Sequence, residues 1–277
     1  MYLVTGATGN VGSEVVRALH AGGEDVAALV RQTPLAGAWL AGVETRSGDL
    51  SDATTLRDAW DGIQALFLLP GYDATPTILR DARAAGVQRV VLLSGFSAGS
   101  GDLSNAITAY MARSESAVRD AGLSWTILRP VAFMSNALRW RDKLRAGDVL
   151  RLPFASVRTA SIDPFDLAAV AVAALRDDRH NGQVLSPTGP ASLLPSDQVS
   201  TLAEVLGRDL RFEAQPNDEA RSEMLKTTPP AYVDAFFDFY VAGSLDESQV
   251  NDTVVEITGR PPRTFEEWAR RHATDFV

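Results

Sequence analysis

The stretch Met1-Tyr-Leu-Val-Thr-Gly-Ala-Thr-Gly-Asn-Val-Gly12 decides the fold. Tyr2 to Val4 is a short apolar run that reads as a strand. Gly6, Gly9 and Gly12 follow at three-residue intervals. Val11, Val15, Val16, Ala18 and Leu19 then recur along one side of a helix. Strand, glycine turn and helix in that order make a cradle for a dinucleotide. Glycines let the backbone turn sharply and approach a pyrophosphate, and the first helical N–H groups point at the anion. The spacing is GxxGxxG, and its weight comes from the strand before it and the helix after it.

Outward from this start, apolar runs alternate with helical patterns. The runs 25–30, 43–47, 65–69, 89–94 and 124–128 read as further strands, and 11–21, 53–60, 75–85 and 103–121 as helices. Short, near-continuous apolar strands separated by helices predict an α/β fold: a Rossmann-type, doubly wound parallel sheet. The rhythm changes after Pro130. A helix is expected over 133–145, then a strand over 157–162 and a helix over 164–175 with Asp163 at its cap. A strand over 183–186, a helix over 196–206 and a strand over 210–214 come next, then helices over 218–226, 230–242 and 264–276. The chain is expected to form a single domain over 1–277. Its core would be about 1–130 plus the strand and helix near 157–186. The smaller, mostly helical C-terminal lobe would be about 131–156 and 187–277.

Two positions after the first cradle bear on which dinucleotide binds. A chain selecting NAD carries Asp or Glu at the end of the second strand, to hold the ribose 2′-hydroxyl. Here the strand ends Leu-Val-Arg31-Gln-Thr-Pro34, with no carboxylate. The Arg31 guanidinium matches a 2′-phosphate, which favours NADP(H) over NAD(H). At the end of the third strand, Gly48-Asp49-Leu50 places a carboxylate to accept from the adenine amino group and an apolar side chain against the ring. Asp49 or Ser51 is equally suited to cap the helix that follows.

Bulk properties narrow the partners. The 277 residues carry a formal net charge of -9, which speaks against nucleic acid and anionic membrane as general partners. There is no cysteine, so thiolate chemistry and Cys-ligated zinc are excluded. His20, His180 and His272 lie far apart, and no metal site is expected. The chain meets Gly6 before any apolar leader develops, and its longest apolar run, 167–175, is far short of the ~20 residues of a membrane span. A cytoplasmic monomer or homodimer is the expectation.

Taken in order, these stretches resemble the atypical, NmrA-like branch of the short-chain dehydrogenase/reductases. The resemblance is carried by Thr5-Gly-Ala-Thr-Gly-Asn-Val-Gly12, Val30-Arg31, Gly48-Asp49-Leu50, Leu92-Leu-Ser94 and Thr126-Ile-Leu-Arg-Pro130. It continues through Phe133-Met-Ser-Asn136, Ile162-Asp163, Asp166-Leu-Ala-Ala169 and Thr258-Gly-Arg-Pro-Pro-Arg-Thr-Phe265. That branch is similar to NAD(P)H-dependent quinone, azo and isoflavone-type reductases, and to nucleotide sensors that catalyse nothing. The resemblance implies that Thr8, Gly9, Asn10 and Val11 line the pyrophosphate, and that Leu69 and Pro70 pass beneath the nicotinamide ribose. It implies that Ser94 and Phe96 border the nicotinamide, with Pro130 and Phe133 closing its far side.

One expected feature is missing. Reductases of this superfamily that handle alcohols and ketones use a Tyr-xxx-Lys pair, the lysine lowering the tyrosine's pKa. Tyr110 begins such a pattern, but four residues on stands Ser114. Tyr110 remains the candidate proton donor. Phe133, Met134 and Asn136 follow the sixth strand, where doubly wound folds bind ligands, and are the candidate pocket for an apolar or aromatic small molecule. The run Tyr232 to Tyr240 is aromatic almost all round; it reads as a buried or interface helix before it reads as a lid. Three functions follow: an NADPH-dependent reductase of quinone-like or other conjugated acceptors, a non-catalytic NADP(H) sensor, and a ketone or alcohol dehydrogenase using Tyr110.

Overall fold

The computed structural model describes residues 1–31 and 42–276. In chain order its elements are β1 (Tyr2–Val4), α1 (Asn10–Ala21), β2 (Val26–Val30), β3 (Glu44–Ser47), β4 (Ala65–Leu68), α2 (Thr75–Ala84), β5 (Arg89–Leu93), α3 (Ala106–Asp120) and β6 (Ser124–Leu128). Then come α4 (Arg141–Ala146), β7 (Val149–Leu152), α5 (Pro164–Arg176), β8 (Gln183–Leu185), α6 (Pro195–Leu206), β9 (Arg211–Ala214), α7 (Asn217–Met224), α8 (Pro230–Tyr240), α9 (Thr253–Thr258) and α10 (Phe265–Arg271). They group into two compact units. The first comprises Met1–Gly101, Thr108–Pro130 and Pro164–Ser186; the second comprises Asp102–Ile107, Val131–Asp163 and Pro187–Val277.

In the first unit seven strands form one sheet in the order β3-β2-β1-β4-β5-β6-β8, with every pairing parallel. This is the doubly wound Rossmann-type arrangement that the alternating runs predicted. The order reverses between β1 and β4, so the crevice that binds ligands in such folds opens beyond the carboxyl ends of those two strands. Strands buried on both faces need apolar residues at consecutive positions, and β2 and β4 (Val-Ala-Ala-Leu-Val and Ala-Leu-Phe-Leu) are buried throughout. α1 buries Val11, Val15, Val16 and Leu19 and packs against α5. Each fully buried Val or Leu contributes about 1.5–3 kcal/mol relative to exposure. On one side of the sheet Leu3, Leu66, Leu68, Ile78, Leu92 and Ile127 form a single cluster.

The second unit departs more from what the sequence suggested. The helix expected over 133–145 is a 3-10 run, Met134–Trp140, followed by α4. A short strand, β7, was not foreseen; its four residues pair in parallel with β9. The stretch 157–162, read as a strand, makes only single bridges, Thr159 with Leu193 and Ile162 with Phe133. Its polar groups are taken by several segments in turn: Ala160 N–H by Glu247 O, Ala160 O by Gly189 N–H, and Ile162 N–H by Ala132 O. No single neighbour runs beside it long enough to make a ladder. α9 was also missed, being only six residues long. Trp268 is buried and stacked on His272, with Trp140 packed at the edge of the same cluster. Within this unit α8 buries Val233, Ala235 and Phe239.

Among the described residues, no helix is long and apolar enough to cross a membrane, and no His, Asp or Glu cluster could hold a metal ion.

Candidate functional site

The glycine turn forms as the spacing required. Gly6 sits at φ +60°, and Gly9 N–H closes the turn onto Gly6 O at 2.8 Å. A Cβ at position 12 would lie 2.2 Å from Gly6 O and 2.6 Å from Gly6 C, so α1 can start against the turn only because Gly12 has no side chain. Gly9 is the helix cap, with no side-chain hydrogen bond onto the first turn and no acidic residue within it. Thr8, Gly9 and Asn10 are exposed, while Val11 and Gly12 are buried. A bare backbone at a helix N-terminus with no carboxylate nearby fits a pyrophosphate.

The other candidates of the first unit gather on the same edge because the strands are parallel. Arg31, Asp49, Leu69, Ser94 and Pro130 each lie one or two residues beyond the end of a strand. Thr5 Oγ1 accepts from Leu69 N–H at 2.9 Å, and the Leu69 side chain lies under Gly6, where a Cβ would come within 2.4 Å of it. Beyond β5, Ser94 N–H donates to Leu128 O at 2.7 Å and Phe96 N–H to Pro130 O at 2.9 Å. These bonds extend the β5–β6 pairing through Phe96.

Arg31 is exposed and has no ion-pair partner among the described residues. Gln32, Thr33 and Pro34, which complete the reading that no carboxylate stands beside it, lie outside the described residues. Asp49 accepts from Ser51 N–H at 2.8 Å, a local turn of its own. The cap of the following segment is neither Asp49 nor Ser51. It is Asp52, which takes Thr54 N–H at 2.9 Å, and the segment, Ala53–Ala59, is a 3-10 helix. Leu50 is only 6% exposed and belongs to the core cluster, which accounts for most of its surface.

Tyr110 sits on α3, against the loop that follows β4: a Cβ on Gly71 would lie 3.2 Å from its ring. Ser114, where a lysine would complete the pair, is buried and fully employed. Its hydroxyl accepts from Gly71 N–H at 2.9 Å and donates to Tyr110 O at 2.9 Å. The residue that replaces the lysine is thus a pin between helix and loop. It has no charge to lend Tyr110.

Sequence reasoning missed the strongest electrostatic feature of this edge. Glu115, 1% exposed, takes a two-pronged bond from Arg129, Nε to Oε1 at 2.8 Å and Nη2 to Oε2 at 2.7 Å. Arg119 Nη2 adds a third at 2.9 Å, and Ser94 Oγ donates a fourth at 2.7 Å. Burial alone would push the Glu115 carboxyl upward. The bonds from Arg129, Ser94 and Arg119 outweigh it and hold the group below the usual carboxylate range. The signal was Arg129 itself, a lone charge between an apolar strand and Pro130.

The candidate pocket residues belong to the second unit. Met134 is buried, while Phe133 and Asn136 are half-buried. Phe133 bridges Ile162, and Met134 N–H donates to Ile162 O at 3.0 Å.

Comparison with known proteins agrees with this geometry. A family model described as NAD(P)H-binding matches residues 6–178. A (4-alkanoyl-5-oxo-2,5-dihydrofuran-3-yl)methyl phosphate reductase of Streptomyces griseus is 38% identical, covering 100% of this chain and 99% of the relative. An NAD(P)H azoreductase of Xenophilus azovorans is 34% identical over 100% of this chain and 99% of its own. In fold the chain is similar to an NADPH-dependent quinone oxidoreductase of Escherichia coli solved with NADPH. That match has a TM-score of 0.81 and 22% identity, covering 98% of this chain and 99% of the other.

Proposed function

This chain belongs to the NAD(P)H-binding family and is a reductase of it, and from that premise we propose that it transfers a hydride from NADPH to conjugated, electron-poor acceptors. One observation carries the reading: Ser114, a buried pin, stands where an ammonium would be needed to make Tyr110 acidic. Carbonyl reduction needs that proton relay. Quinones, azo bonds and conjugated enones need it less, because charge arriving with the hydride is spread over the acceptor and the proton can come from water. The two relatives above are named for such acceptors, an unsaturated furanone and an azo compound.

Each part of the site has a task in this reading. Thr8 to Gly12 hold the pyrophosphate on bare N–H groups, and Arg31 holds the 2′-phosphate. Asp49 and Leu50 receive the adenine. Leu69, Pro70, Ser94, Phe96 and Pro130 border the nicotinamide, which when bound supplies the hydride. Phe133, Met134 and Asn136, of the second unit, would bind the acceptor; a reductase of this kind gains its rate chiefly by proximity.

Two measurements test this. NADPH consumption is followed against quinones, azo dyes, conjugated enones and simple ketones. Turnover is expected with the first three, and consumption with ketones alone would sink the reading. Nucleotide bound without consumption by any acceptor would mark a sensor instead. Arg31→Ala is expected to lower the preference for NADPH over NADH by about tenfold to a hundredfold, the worth of one charged hydrogen-bonded contact. An unchanged preference would remove Arg31 from the site. Tyr110→Phe is expected to leave quinone reduction within about twofold of the parent; a loss of two orders of magnitude would restore Tyr110 as the proton donor.

A further inference from the structure

Two neighbouring residues of α3 reach two different loops of the first unit. Ser114 takes Gly71 N–H, beyond β4, and Glu115 takes the Ser94 hydroxyl, at the end of β5, with Oγ to Oε1 at 2.7 Å. Ser94 is also fixed through its backbone, since its N–H donates to Leu128 O at 2.7 Å. Ser94 and Glu115 are both buried, at 3% and 1% exposed, so water has little access to replace the bond between them.

That bond has a direction, fixed by what surrounds the carboxylate. Glu115 Oε1 also accepts from Arg129 Nε at 2.8 Å, and Oε2 accepts from Arg129 Nη2 at 2.7 Å and Arg119 Nη2 at 2.9 Å. A carboxylate offers about four lone-pair sites, and here each is met by a donor. Burial pushes the group up, but the bonds from Arg129, Ser94 and Arg119 hold it below its ordinary value, so it is ionised at neutral pH and has no proton to give. The single Ser94 proton must therefore point at Glu115. A hydroxyl has one O–H donor and two lone pairs. What Ser94 retains for any other neighbour is acceptor capacity alone.

We propose that Ser94 is a specificity contact for the nicotinamide carboxamide, accepting from its N–H, and that Glu115 is the positioning residue that commits Ser94 to this role. This rests on the reading that Ser94 borders the nicotinamide. The carboxamide nitrogen carries the only N–H donors of that base, beside a carbonyl oxygen that can only accept. A serine free to turn its proton would serve either end of the amide. One whose proton is held by Glu115 serves only the amino end, and so fixes which way round the amide lies. Ser94 then has no proton for the reduced acceptor either, in keeping with the proposal that this proton comes from water.

The test compares NADP+ with its 3-acetylpyridine analogue, in which a methyl group replaces the amide nitrogen and the carbonyl is kept. Dissociation constants are measured by calorimetric titration, without turnover. The parent is expected to bind NADP+ about threefold to tenfold more tightly than the analogue, the worth of one hydrogen bond. In Ser94→Ala the two should bind within about twofold of one another, because only NADP+ loses a bond. Glu115→Gln should lose the preference as well. Its amide oxygen is drawn to the Oε2 side, where two guanidinium bonds converge, so its NH2 faces Ser94 and frees the serine proton. The double change Glu115→Leu with Arg129→Met frees that proton without leaving Arg129 unpaired, and should lose the preference too. A merely structural role for Glu115 would weaken both nucleotides alike and leave their ratio unchanged. An unchanged ratio in Ser94→Ala overturns the contact. A ratio that falls in Ser94→Ala but holds when Glu115 is replaced overturns the positioning role. If the parent binds both nucleotides equally, the contact fails and the cofactor reading stands; if it binds neither, the cofactor reading fails and the contact with it.

Discussion

Glu115→Ala is expected to cost about 3–5 kcal/mol of stability at neutral pH, the loss typical when one partner of a buried ion pair is removed. The substitution strips the acceptor from Arg129 Nε and Nη2 and from Ser94 Oγ, and Ser94 is only 3% exposed. Arg119 loses less, because it is more open to water. The dependence on pH has a definite sign. Glu115 is held below its ordinary value of 4.5, so its contribution is complete above that value and disappears as pH falls through the lowered one. The gap between the parent and Glu115→Gln should therefore close on acidification below about pH 4. Urea unfolding at pH 7.5 and at about pH 3 measures both effects. A loss under 1 kcal/mol at pH 7.5 would show that water reaches the network and replaces the carboxylate. The double change Glu115→Leu with Arg129→Met should cost less than Glu115→Ala alone, because the penalty lies in the charge left behind.

That network also shows where sequence reasoning stops. The sheet was legible because each parallel strand, buried on both faces, must be apolar at consecutive positions, and 65–69 and 89–94 contain little else. The cradle was legible because three glycines and a helix form a local motif, complete within twelve residues. Glu115 and Arg129 are fourteen residues apart on different elements, and nothing local announces that they meet. The 157–162 stretch has a strand-like pattern, but a ladder depends on a neighbour of matching length, which the pattern does not contain. Ser114 is instructive in another way. Its identity reveals the missing ammonium, but only the fold brings its hydroxyl to Gly71 N–H.

Gly12→Ala is expected to abolish useful nucleotide binding, with affinity for NADPH falling at least about a hundredfold, while the rest of the sheet remains folded. The added methyl would lie 2.2 Å from Gly6 O, 2.6 Å from Gly6 C and 3.0 Å from Ala7 N. All three are backbone atoms, so no rotamer change can relieve the contact. Either α1 backs away from β1 or the turn at Gly6 opens and gives up its bond from Gly9 N–H. Overpacking of this kind costs about 1–3 kcal/mol, and the broken hydrogen bond about 1 kcal/mol more. Gly9→Ala is the informative contrast. Its methyl would meet only Gly6 O, at 3.2 Å, and its φ of -87° suits any residue. It should fold with a loss below about 1 kcal/mol, yet weaken NADPH, because it places a carbon at the mouth of the cradle that the pyrophosphate must enter. Thermal unfolding and nucleotide fluorescence titration separate the two effects. Stability should fall mainly in the Gly12 variant, and affinity in both. If Gly12→Ala binds NADPH within threefold of the parent, the pyrophosphate does not rest on the start of α1, and the first twelve residues would be a packing motif alone.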